Sequence, residues 1–134
     1  GHDIEASWLT DRAVETLGDG ELIKEFNALD LRLAENIYSI ALDEGSLNNE
    51  RDGDKINRTR IWWVQAEGVV GFVNAYQHSG EKKYLDAAKG IWENIKRLVI
   101  DKRDGGEWYS EVEPDGTPHE YKEETGLWKC PYHN

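Results

Sequence analysis

Three short stretches of this chain carry side chains able to move protons or to grip a polar ring. The first is His2-Asp3-Ile4-Glu5-Ala6-Ser7-Trp8. On a helix, His2 and Glu5 share a face, and Trp8 lies one turn beyond Glu5. Imidazole exchanges its proton near neutral pH, so a histidine beside a carboxylate suits a general base. A helix cap with Glu5 in a capping-box role, or a tag remnant supplying Gly1-His2, would explain the same residues without chemistry. The second stretch is Trp62-Trp63-Val64-Gln65-Ala66-Glu67. Neighbouring helix positions point about 100° apart, so the two indoles cannot both enter one core stripe. One of them faces something else, and a sugar ring is a natural candidate. Sealing a large helical core is the plainer use of the pair. The third stretch is the tail, where Trp128, Tyr132 and His133 gather around Pro131. A loop histidine is by itself usually just solvated.

The remaining candidates are weaker. His78 and His119 read as surface residues, one at a helix end and one in a polar hairpin. A zinc site could in principle draw on His and Cys, but no two such ligands have metal-site spacing. His2-x-x-Glu5 alone is too common to claim one, and no metal is expected. There is no glycine-rich phosphate loop and no serine in a nucleophile elbow.

Four helices must position these groups. The pattern predicts a first helix from Asp3 to Leu17, with Ile4, Trp8, Ala13 and Leu17 near one side, stopped by Gly18-Asp19-Gly20. A second runs from Glu21 to about Glu44 on the stripe Leu22, Phe26, Leu29, Leu33, Ile37, Ile40. Residues 43–58 form a polar loop, long enough to suggest a function. The third helix, Trp62 to His78, is apolar on most sides and therefore buried. Gly68 and Gly71 within it suggest close packing against a neighbour or ligand. A fourth, amphipathic helix spans Glu81 to about Ile100. After it, Glu107-Trp108-Tyr109-Ser110-Glu111 reads as one arm of a small β-hairpin, with the second arm near His119 to Lys122. The fold class is all-α: about four helices in antiparallel pairs, with a small hairpin near the C-terminal end.

The 134 residues amount to one domain's worth of chain with a net charge of −11, which argues against nucleic acid or an anionic membrane as partner. No apolar run is long enough to span a bilayer. The single Cys130 can form no internal disulfide, as a reducing, cytoplasmic setting allows. Six Trp and six Tyr against two Phe favour rings with polar edges, suited to carbohydrate or interface contacts. The chain contains no methionine, so the expectation is a piece of a larger protein.

Taken together, the three stretches resemble the N-acylglucosamine 2-epimerase family, and its cellobiose branch most. The likeness also runs through Gly71-Phe72-Val73-Asn74-Ala75-Tyr76-Gln77 and Glu107-Trp108-Tyr109, in the right order. It implies part of an (α/α)6 barrel, with residues 1–134 a single partial domain from its C-terminal portion. It also implies inversion at C2 of a reducing-end aldose through ring opening and an enediolate. His2 and His133 match the family's acid/base pair, and Glu5 a glutamate that assists ring opening. Trp8, Trp62, Trp63, Glu67 and Trp128 match residues lining the sugar site. No cofactor is implied; the partner is a disaccharide or monosaccharide. An aldose–ketose isomerase of the same superfamily is the alternative, as is a non-catalytic helical module binding sugar or protein. A partial barrel is expected to be inactive alone and to self-associate through its apolar edges.

Overall fold

Glycine punctuation and apolar spacing organise the chain into two helical hairpins. The computed structural model describes all residues 1–134. Helix α1 (His2–Leu17) pairs with α2 (Gly20–Ile40), and α3 (Trp62–Ser79) with α4 (Lys82–Asn94). Gly18 and Gly80 end α1 and α3 in the left-handed region, each at φ 72°, which a residue without Cβ adopts freely. Asp19 then caps α2 by accepting from the amides of Glu21 and Leu22 at 3.0 and 3.2 Å. Helix α4 continues into a π-helical turn, Ile95–Val99.

Helix α3 is the hub. Ten of its residues are buried, including Trp62, Gln65, Glu67 and Phe72, so it is covered on most sides, as its sequence predicts. Close approach is real at both expected glycines. A Cβ at Gly68 would come within 2.6 Å of Leu47 Cδ1, and one at Gly71 within 2.9 Å of the Ile4 carbonyl. Around this hub Phe72, Tyr84, Ile91, Ile95 and Val99 complete the core.

The polar loop is more ordered than the sequence suggests. Helix α2 stops at Ile40, short of the expected Glu44, because Leu42–Asp43 (β1) folds back on Ser46–Leu47 (β2). The turn places Glu44 at φ 50° and Gly45 at φ 72°, a geometry that twists with the strands it joins. Its gain is Leu47, 1% exposed and clamped by Gln65, whose amide accepts from Leu47 N at 2.8 Å and donates to Leu47 O at 2.9 Å. A second hairpin, Glu50–Asp52 (β3) with Lys55–Asn57 (β4), is exposed throughout and so lacks an apolar alternation that would reveal it. Next, Arg60–Ile61 (β5) pairs with Glu111–Val112 (β6), tying the start of α3 to the C-terminal region. Buried Arg60 bonds Asn48 Oδ1 at 2.6 Å and Asp43 Oδ2 at 3.0 Å, joining these small sheets.

The C-terminal hairpin is shifted from its expected place. Its turn is Pro114 to Gly116, Val112 pairs with Pro118, and Trp108 instead pairs with Ile100. His119 is not a simple surface residue: its two nitrogens contact Glu111 at 3.0 Å and Glu113 at 2.6 Å. Those hydrogen bonds raise the imidazole above its ordinary range, Glu111 contributing most.

Two buried faces also differ from expectation. In α1 the covered line is Ile4, Ser7, Asp11, Val14, whereas Ala13 and Leu17 are exposed. In α2 it is Asp30, Ala34, Ile37, leaving Leu22, Phe26, Leu29 and Leu33 half-buried and Ile40 exposed. The polar members explain the rotation. Asp11 meets His78 at 2.9 Å, so that residue, though at the surface, is anchored inward. Thr10 Oγ1 lies 2.7 Å from both Ala6 O and Asp30 Oδ1. The Thr10 hydroxyl has one proton to donate, shared between these two acceptors. Burial, helped by the charge of Asp11 and opposed by Thr10, raises the Asp30 carboxyl. A carboxyl raised on folding stabilises the protein below its unfolded range and costs stability as pH rises through the folded value. Asp30→Asn mimics the protonated form. It should raise the melting temperature at pH 7, with the gain shrinking toward pH ~4, near the unfolded carboxyl value, followed by circular dichroism.

Candidate active site

The first turns of α1 and α3 lie side by side and build one wall. Gly1 rests on Trp63, and a Cβ there would overlap the indole and come within 2.8 Å of Val64 Cγ2. Trp8 faces Glu67 and Asp11 faces His78, so the helices run the same way and present both N-termini at one end. Helix N-termini carry partial positive charge, which favours anionic groups placed before them. The capping alternative for His2 and Glu5 is not what forms, since Gly1 occupies the cap position without any side-chain cap bond.

Glu67 is the centre of the arrangement. It is 3% exposed, and both oxygens are used: Oε2 accepts from Trp8 Nε1 at 2.6 Å, and Oε1 meets His133 Nδ1 at 2.7 Å. A carboxylate only accepts, so Nδ1 carries the proton and Nε2 of His133 is left as the free nitrogen. Aromatic rings fix the imidazole further, with Trp62 and Trp63 both at 5.4 Å between centroids and Tyr132 at 4.7 Å. His2 is exposed and sits 5.0 Å from Trp63. The two candidate imidazoles therefore touch the same indole.

Of the eight residues singled out by sequence, seven come together here: His2, Glu5, Trp8, Trp62, Trp63, Glu67 and His133. Trp128 does not join them; it stands in solvent, 90% exposed. The tryptophan pair divides as helix geometry demands, with Trp62 buried and Trp63 half-buried. Ligand atoms of Glu5, Glu67 and His133 lie within 4.8 Å of one another, as do those of Asp11, Glu15 and His78. Sequence spacing conceals both trios because each draws on distant parts of the chain: α1, α3 and the tail in the first, α1 and α3 in the second. In the first trio, both oxygens of Glu67 and Nδ1 of His133 are already engaged in hydrogen bonds.

Sequence reasoning missed the structural partner role of Glu67, and it missed Lys129. A glutamate on a helix buried all round must be paired, and that signal was available for the first. Lys129 lies in a stretch without periodicity, and nothing in the sequence marks its contacts.

The N-acylglucosamine 2-epimerase (GlcNAc 2-epimerase) family matches residues 1–134. A cellobiose 2-epimerase from Ruminococcus albus is 65% identical over the whole chain, which covers 34% of that protein. A crystal structure of a sugar epimerase from a ruminal bacterium superposes with TM-score 0.97 at 64% identity, over 98% of this chain and 34% of the other. The cellobiose 2-epimerase structure from Bacillus thermoamylovorans gives 0.93 at 45% identity, over 98% of this chain and 34% of the other. The chain thus spans about a third of the length of these relatives. Replacing Glu67 by Ala strands the Trp8 and His133 donors. The expected loss is about 1–3 kcal/mol for each donor left buried and unsatisfied, measured by urea unfolding.

Proposed function

Because the chain belongs to the N-acylglucosamine 2-epimerase family, and its four helices form part of an α/α barrel, we propose that it supplies one wall of a sugar 2-epimerase. The reaction is inversion at C2 of the reducing-end aldose of a β-linked disaccharide such as cellobiose. The observation that carries this reading is the pair of imidazoles, His2 and His133, beside one indole, that of Trp63, at 5.0 and 5.4 Å between ring centroids.

The chemistry follows from what each group can do. Only the open-chain aldehyde acidifies the C2 proton, so the ring must open first, with Glu5 assisting. One imidazole then takes the C2 proton, leaving an enediolate. Rotation about C2–C3 turns the other face, and the second imidazole returns a proton there. Nε2 of His133 is available for this because Glu67 holds Nδ1. Negative charge developing on the enediolate oxygens is favoured in front of the paired N-termini of α1 and α3. Trp63, half-exposed, is free to stack on a sugar face. Trp8, Trp62 and Glu67 act from behind, fixing the His133 imidazole. The protein works in the cytoplasm, where the exposed, unpaired Cys130 thiol stays reduced.

By itself the 134-residue chain is inactive. It self-associates through its uncovered apolar side chains, among them Leu17, Ile40, Val70 and Trp92. A clean monomer in sedimentation would count against that. The central test places this chain in the matching third of the Ruminococcus albus cellobiose 2-epimerase. The chimera should carry deuterium from heavy water into C2 of the epimerised disaccharide, and His133→Ala should abolish the exchange. Wild-type exchange in that variant removes His133 from the mechanism. A ketose product instead assigns an isomerase, and saccharide binding without exchange assigns a binding module.

A further inference from the structure

The segment that delivers His133 is anchored without apolar burial. Residues 119–134 contain no helix and no strand, and Leu127, Trp128 and Tyr132 are 88%, 90% and 67% exposed. A tail without buried apolar side chains draws little hold from the hydrophobic effect. Yet His133 must stay beside Glu67 if its free nitrogen is to meet a reacting carbon.

Polar contacts hold the tail instead. Glu124 accepts from Arg103 at 2.6 Å and from Glu107 N at 3.2 Å, Asn134 donates to Glu107 Oε1 at 3.0 Å, and Lys129 ties the stretch between them to α3. Lys129 lies half-buried at a tight turn in which it exchanges both backbone hydrogen bonds with Gly126 at 3.2 Å. Its ammonium donates to the carbonyl of Trp108 at 2.6 Å and to that of Glu124. It also lies over the ring of Trp62, 5.0 Å from the centroid. No carboxylate forms a salt bridge with it. Burial lowers the ammonium from its ordinary range, with Glu107 and Glu124 pulling the other way. Three donors on a compact head match two carbonyls and a π-face, a set that the flat fork of arginine fits less well. The same Trp62 meets His133 edge-on at 5.4 Å, so a single buried indole contacts both the ammonium and the imidazole.

We infer that Lys129 is a positioning residue, which clips the C-terminal tail onto Trp62 and the Trp108 carbonyl and so fixes His133 against Glu67. The clip stands on these contacts alone; its effect on turnover rests on the epimerase reading above.

The test compares Lys129→Met, which keeps the stem but removes the ammonium, with wild type in the Ruminococcus albus chimera. Amide hydrogen exchange in residues 119–134 should quicken about tenfold or more, while exchange in α1 to α4 stays unchanged. The kcat for the disaccharide should fall about tenfold or more with KM little altered, because the sugar-stacking face of Trp63 is untouched. Lys129→Gln, which retains donors without the charge, should fall between the two. Unchanged exchange in the tail, or lost protection with unchanged kcat, overturns the proposal. A fall in kcat accompanied by loosening of all four helices also overturns it, because the residue would then be holding the fold. If the unmutated chimera shows no turnover, the epimerase reading fails, and the exchange measurement still decides the clip.

Discussion

Glu67 has to live inside the protein, and a carboxylate away from water is costly unless its oxygens are bonded. Both are, one to the Trp8 indole and one to the His133 imidazole. That requirement couples three parts of the chain through one side chain: α1, α3 and the irregular tail. The indole sits where Glu67 needs a donor, and the histidine tautomer is set by the same carboxylate. This wall is therefore held from behind, with Glu67 and its two donors satisfied among themselves while His2 stays exposed and Trp63 half-buried.

The rest of the architecture serves the placement of α3. Gln65 clamps β2 to its first turns, Arg60 binds the small sheets at its entrance, and β5 pairs with β6 just before Trp62. Glycines at 68 and 71 let Leu47 and Ile4 approach its backbone closely. Backbone pairing continues across the helix start, with Trp62 N bonded to Ser110 O at 3.1 Å. Because helices begin with unpaired amides, this bond also satisfies a donor that would otherwise be buried and alone.

The helices were legible in the sequence because apolar residues recur with helical period and glycines stop them. Which face turns inward was less legible. Asp11 and Asp30 look like solvent residues, yet each is buried by a specific partner, His78 and Thr10, that only the tertiary structure supplies. The exposed hairpin β3–β4 offers no alternation to read. At the site, residue types and order singled out the histidines, Glu5 and the tryptophans, and the fold brings all of these but Trp128 together. What they could not convey was who contacts whom: Glu67 reads like a ligand-facing acid and turns out to be fully engaged with the protein. Trp128 has the composition of a sugar platform but stands apart from the other rings.

The carboxylate bridge joins residues 59 and 66 positions apart in the chain. The helical hairpins, by contrast, close over two-residue links. Contacts between distant residues carry a larger loop-closure entropy and depend on structure already being in place. The order of assembly follows from this topology: α1 with α2 and α3 with α4 are favoured early, and the bridge late. A chain can thus hold most of its helical signal while its chemistry is still unassembled, so recovery of secondary structure is a poor proxy for recovery of the site.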